Sequence, residues 1–149
     1  MNKTHFPFAA VLSLLAAAGS MPALAADATV QKVTVRAVTH FDFDKASLSA
    51  EEQTAILADV SKMKDVTWQT VNATGHTDSV GAAGYNKKLA ERRADVVRAY
   101  LLAKGLSPDM INVAAKASNA PVASNDTDQG RAQNRRTEIE FQGVRAATP

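Results

Sequence analysis

The chain has 149 residues, 17 Lys+Arg against 15 Asp+Glu for a formal charge of +2, and is 46% hydrophobic and 21% charged. That composition suits one ordinary globular domain and is neither collagen-like nor disordered. It contains no Cys, which excludes a disulfide framework, a thiolate metal site, a cysteine nucleophile and a lipid attached through Cys. An excess of two charges is slight support for a polyanionic partner.

The first 25 residues read as a cleaved secretory signal. Lys3 supplies the positive region, an apolar run follows from Phe6 to about Gly19, and Ala23-Leu24-Ala25 forms an A-x-A cleavage pattern behind Pro22. A transmembrane anchor is the competing reading, but a span needs about 20 apolar residues and this run is shorter. Cleavage after Ala25 would leave 149 − 25 = 124 residues and, with Lys3 the one charge lost, a net charge of 16 − 15 = +1. No later segment could cross a membrane as a helix, and a series of barrel strands would not fit. A soluble, exported mature protein is expected.

Residues 28–40 are rich in Val and Thr in partial alternation, as in a half-buried strand. Phe41-Asp42-Phe43-Asp44 follows. Ser49-Ala50-Glu51-Glu52 is a capping box, with Ser49 as N-cap and Glu52 reaching back to it. The helix behind it carries Ile56, Leu57, Val60 and Met63 at 3/4 spacing. Residues 66–74 form the next strand, with Trp68 in the core. A glycine-bracketed loop runs over 75–81 and contains His76. A long helix spans about 85–104, stopped by Gly105 at C′ and by Pro108. A short strand over 110–117, a turn-rich segment over 118–128, a short helix over 130–136 and an alternating strand over 137–141 complete the order. The fold class is α/β (an α+β sandwich): β-α-β-α-β-(α)-β, a mixed sheet with helices on one face. Residues 26–37 are the lead-in and first strand, 38–142 the domain and 143–149 a frayed tail.

One residue of the long helix does not fit its pattern. Tyr85, Leu89, Val96, Val97 and Tyr100 share a face, and Arg93 falls near its centre. A guanidinium there needs a partner, because an unpaired buried charge is costly. A snorkelling or structural ion-paired arginine is the bland account. Arg93 can also face the loop holding Asp78. A carboxylate and a guanidinium beside a glycine-rich loop suit a zwitterion, with Arg taking its carboxylate and Asp its ammonium.

Phe41-Asp42-Phe43-Asp44, Gly75-His76-Thr77-Asp78-Ser79-Val80-Gly81, Asn86 through Leu89 to Arg92-Arg93-Ala94, and Asn125 through Gly130 to Asn134-Arg135-Arg136 together resemble the OmpA-like C-terminal domain family. The likeness covers residues 38–141, with the motifs in the family's order and spacing. It implies a non-catalytic domain that binds peptidoglycan in the Gram-negative periplasm and grips the diaminopimelate of the stem peptide. By the same resemblance Asp78 and Arg93 make the grip, Thr77 and Asn86 assist, and Asp42 and Asp44 lie near the pocket. Arg135 and Arg136 match the N-R-R pattern, one being structural and the other touching glycan, with the choice open. The resemblance implies no cofactor. Its other reading is an envelope-assembly component of the periplasm, possibly partnered by outer-membrane proteins, in which wall binding is secondary.

Two departures stand out. Ala115 and Ala117 occupy positions where the family commonly has Gly, so the turn there is expected to differ. Ala90 stands where Ser is usual.

Other chemistries have less support. His76 and Asp78 could ligate a metal, yet the chain has three His, one of them in the signal, and no Cys. No G-x-S-x-G occurs for a hydrolase. A glycosidase would need Asp42, Asp44 and Asp78 to share a cleft. The Arg131, Arg135, Arg136 cluster is interleaved with Asp126, Asp128, Glu138 and Glu140, as on a solvated surface rather than a nucleic-acid site.

Overall fold

The computed structural model describes residues 29–147; the signal segment and its cleavage site lie outside the described residues. The element order is β1 (Val30–His40), α1 (Ala50–Leu57), a 3₁₀ turn (Val60–Lys62), β2 (Thr67–His76), α2 (Ala83–Ala103), a second 3₁₀ turn (Pro108–Met110), β3 (Ile111–Ala117), α3 (Asp128–Asn134) and β4 (Arg136–Ala146). The sheet order is β1-β4-β2-β3. β4 pairs antiparallel with both β1 and β2, and β2 pairs parallel with β3. This is the mixed sheet expected from the sequence.

Alternation decides which face is covered. Val35, Ile139, Phe141, Val71 and Ala73 point to one side and, with Ile56, Leu57, Val97 and Leu101 of α1 and α2, form the core. Trp68 packs edge-on to Phe141 at 6.0 Å between ring centroids. Polar residues such as Arg36 and Glu140, ion-paired at 2.8 Å, alternate with them.

Local signals account for most element ends. Ser49 Oγ accepts from Glu52 N at 3.2 Å, the N-cap expected. The reciprocal half of the box is absent, because Glu52 Oε2 accepts from His40 N at 3.1 Å and ties α1 to the end of β1 instead. α1 stops at Leu57, and a 3₁₀ turn carries Val60 into the core. α2 closes in a Schellman motif: Leu106 N donates to Leu101 O and Gly105 N to Leu102 O, with Gly105 at φ 98°. Leu106 and Leu101 are both buried, which supplies the apolar contact of that motif.

Three expectations need correction. β4 runs to Ala146, so residues 143–146 are strand, not tail; Gly143 to Ala146 pair with Val33 to Val30 of β1. His76 is the last residue of β2 and is buried, not a loop residue. The turn at Ala115 and Ala117 does not change course to suit alanine. Ala117 takes the left-handed conformation at φ 50°, and the β2–β3 register skips Lys116 there. Its carbonyl accepts from Thr77 N at 3.0 Å, which closes the strand end just before Asp78. A non-glycine residue in that region costs about 1 kcal/mol.

Candidate functional site: a polar cleft at the ends of the strands

The site forms where β2 hands over to α2. Gly75 lets the two elements meet, since a Cβ there would lie 1.9 Å from Ala90 O. The position of Ala90 is thus set by backbone contact, and its own side chain is fully buried. Past His76, Asp78 folds the chain into an Asx turn, Oδ1 accepting from Val80 N at 3.0 Å. Asn86 Nδ2 donates to Val80 O at 2.9 Å and fastens that turn to α2.

Arg93 is fully buried, as its place on the apolar stripe implied, yet its partners are backbone carbonyls. Nε donates to Lys45 O at 2.9 Å, Nη1 to His76 O at 2.9 Å and Nη2 to Asp42 O at 3.2 Å. Its guanidinium also stands 5.1 Å from the Phe41 ring centroid. Burial, partly offset by the charge of Asp78, lowers its pKa to about 10, so it stays a cation at neutral pH. A guanidinium has five N–H donors, so two remain uncommitted.

The cation bonded to Asp78 is Arg135. Its Nη1 lies 3.3 Å from Asp78 Oδ2, while Nε donates to Phe41 O at 3.0 Å. Arg136, the next residue, turns to the opposite face. It is buried, bonds Glu138 Oε1 through Nε and Nη2 at 2.9 and 2.6 Å, and donates to Ala120 O at 3.1 Å. Of the two arginines, Arg135 lines the cleft and Arg136 is buried away from it.

A cleft of about 170 Å³ brings Asp44, Asp78, Asn86, Arg93 and Arg135 together. Asp44, in left-handed backbone at φ 56°, accepts from the Tyr85 hydroxyl, and that bond holds the Tyr85 pKa above its usual value. Phe43, Val80 and Tyr85 form an exposed apolar rim. Two predicted residues lie elsewhere. Thr77 is buried, its hydroxyl donating to Asp78 O at 2.9 Å, and does not line the cleft. The Asp42 side chain is exposed toward Lys45 and lines a different hollow. The three aspartates of the glycosidase reading thus do not share one cleft. Among the described residues no group of three or more His, Cys, Asp or Glu could hold a metal ion.

Sequence reasoning missed Tyr85 as part of the site and missed the amide relay behind it. The buried Asn134 accepts from Val122 N and Ala123 N at 2.8 and 3.1 Å, and donates to Ala123 O and Asn125 Oδ1, both at 2.9 Å. Asn125 Oδ1 also accepts from Ser79 N at 3.3 Å, next to Asp78. The Asn-Arg-Arg triplet was the available signal: it fixes the loop, faces the cleft and anchors the opposite face in succession.

A β/α sandwich with a buried arginine beneath a G-x-T-D turn defines the class. Residues 40–135 match the model of the OmpA family, and the chain belongs to that family. It is 45% identical over 114 residues to outer membrane protein A of Bordetella avium, covering 76% of this chain and 59% of the relative. It is 36% identical to the peptidoglycan-associated lipoprotein of Pseudomonas aeruginosa, covering 72% of this chain and 65% of the relative. The crystal structure of the peptidoglycan-associated lipoprotein from Burkholderia pseudomallei superposes with a TM-score of 0.62 at 26% identity, covering 70% of this chain and 89% of that one. The chain thus spans less than two thirds of the length of these two sequence relatives.

Proposed function

We propose that this protein binds peptidoglycan non-covalently and without catalysis, in the periplasm beside the outer membrane, and so contributes to envelope integrity. The cleft takes the zwitterionic end of the diaminopimelate side chain. Asp78 and Asp44 face the ammonium. Arg135 and the two uncommitted N–H groups of Arg93 face the carboxylate. Asn86 holds the Asp78 turn, and Thr77 acts from behind it. The observation that carries this reading is the convergence of two carboxylates and two guanidiniums in one cleft. Such a set is neutral as a whole yet offers each sign separately, and a zwitterion satisfies both. Two of the similar proteins are named for association with peptidoglycan.

The test is co-sedimentation with purified sacculi. Wild type pellets with the wall, and Asp78→Ala stays in the supernatant while keeping a native circular-dichroism spectrum. Undiminished pelleting of Asp78→Ala would sink the assignment.

A further inference from the structure

We propose that Asn125 is a positioning residue of the wall-binding cleft: through Ser79 it holds the turn that aims the Asp78 carboxylate. This inference rests on the wall-binding reading and deepens it. Asn125 does not line the cleft, so its contribution to binding passes through the turn.

The turn is held from three sides. It links the end of β2 to the start of α2, and Ser79 and Val80 in it are exposed. On the β3 side, Thr77 N donates to Ala117 O at 3.0 Å. On the α2 side, Asn86 Nδ2 donates to Val80 O at 2.9 Å. On the third side stand the residues that flank α3. Asn125 Oδ1 accepts from Ser79 N at 3.3 Å, and Arg135 Nη1 reaches Asp78 Oδ2 at 3.3 Å. The flanks of α3 therefore hold both the carboxylate and the backbone beside it.

The segment that carries Asn125 is itself fixed to α3. The fully buried Asn134 bonds Val122 N, Ala123 N and Ala123 O. Arg131 Nη1 donates to Asn125 O at 2.7 Å. Gly130 lets helix and segment meet, since a Cβ there would lie 1.8 Å from Ser124 O. Asn134 Nδ2 also donates to Asn125 Oδ1 at 2.9 Å, which sets the orientation of the Asn125 amide. One oxygen thus accepts two N–H bonds, a task that a carboxylate oxygen can also perform. Holding a binding group in its bound geometry before the ligand arrives raises affinity, because the ordering cost is met during folding.

The experiment compares wild type, Asn125→Ala and Asn125→Asp as full mature chains. Each is titrated by calorimetry with a diaminopimelate-containing tripeptide, well below its melting temperature. Asn125→Ala should bind about five-fold more weakly, the worth of one net hydrogen bond, at a nearly unchanged melting temperature. Asn125→Asp keeps the acceptor and should recover most of the affinity. Hydrogen exchange reads the turn without ligand: the Ser79 amide should exchange several-fold faster in Asn125→Ala, while that of the buried Val71 in β2 is unchanged. Wild-type affinity in Asn125→Ala overturns the inference and leaves the cleft assignment intact. So does an unaltered Ser79 amide, or an Asn125→Asp protein as weak as Asn125→Ala. A collapsed melting temperature in Asn125→Ala makes the residue structural and equally overturns it. Failure of the wild type to bind overturns the cleft assignment and this inference together.

Discussion

Asp78 is bonded to Arg135, 57 residues further along the chain, while Arg93, expected to share a ligand with Asp78, gives three of its five donors to backbone carbonyls. The two guanidiniums therefore have different duties. Arg93 gathers Lys45, His76 and Asp42 under the floor of the cleft. Arg135 stands at its wall, its side chain 17% exposed, and is the more accessible of the two cations.

Arg93→Ala should unfold the site rather than merely disarm it. Three carbonyls lose their donor, that of His76 in a buried bond and the other two in part-buried ones, so the expected cost is about 3 kcal/mol. Urea denaturation measures it. A loss under about 1 kcal/mol would mean that the carbonyl clamp is not structural.

Arg135→Ala and Arg136→Ala should separate binding from stability. Arg135→Ala weakens sacculus co-sedimentation at nearly unchanged melting temperature. Arg136→Ala leaves Glu138 Oε1 without its two donors and Ala120 O without its donor, and should destabilise by about 2 kcal/mol with binding preserved under folding conditions. The reverse pattern would exchange their roles.

Two backbone positions predict opposite signs. Ala117→Gly relieves a left-handed alanine and should stabilise the fold by about 1 kcal/mol. Gly75→Ala drives a methyl against Ala90 O and should destabilise strongly, because the main chain of α2 must move. Thermal melts of both variants decide the matter; a destabilising Ala117→Gly would contradict the strain.

Stability should fall on mild acidification because of His76. The side chain is buried at the end of β2, and neither ring nitrogen has a hydrogen-bond partner among the described residues. Burial lowers its pKa below the ordinary 6.5, Arg136 and Lys116 add to the shift, and Glu138 opposes it. The unfolded chain therefore binds a proton more readily than the folded one. The stabilisation is complete above about pH 6.5 and is lost as pH drops through the folded value. The Glu138 pKa is lowered from 4.5, so its contribution disappears only in more acidic solution. Replacing His76 with Gln should flatten the stability profile between about pH 7 and 5; an unchanged slope would assign the effect elsewhere.

Local physics made much of the fold legible. Ser49 marked the start of α1, and Gly105 the end of α2. The 3/4 spacing placed Arg93 among buried residues, and the structure has it fully buried. The β4 boundary was harder to read: Gly143 to Ala146 lack clear alternation and become strand through pairing with β1. His76 reads as loop because glycine flanks it, yet parallel pairing with β3 carries β2 through that position.

The sequence by itself determined the order of elements, the polar turn around Asp78 and the anomaly of Arg93, because caps, periodicity and turn chemistry act within a few residues. Only the tertiary structure decided which cation meets Asp78. β4 enters the sheet between β1 and β2, and that insertion delivers Arg135 to the cleft and sends Arg136 to the opposite face. The partners of Arg93 were equally hidden, since a backbone carbonyl carries no mark of residue type and becomes an acceptor in the right place only when distant segments converge.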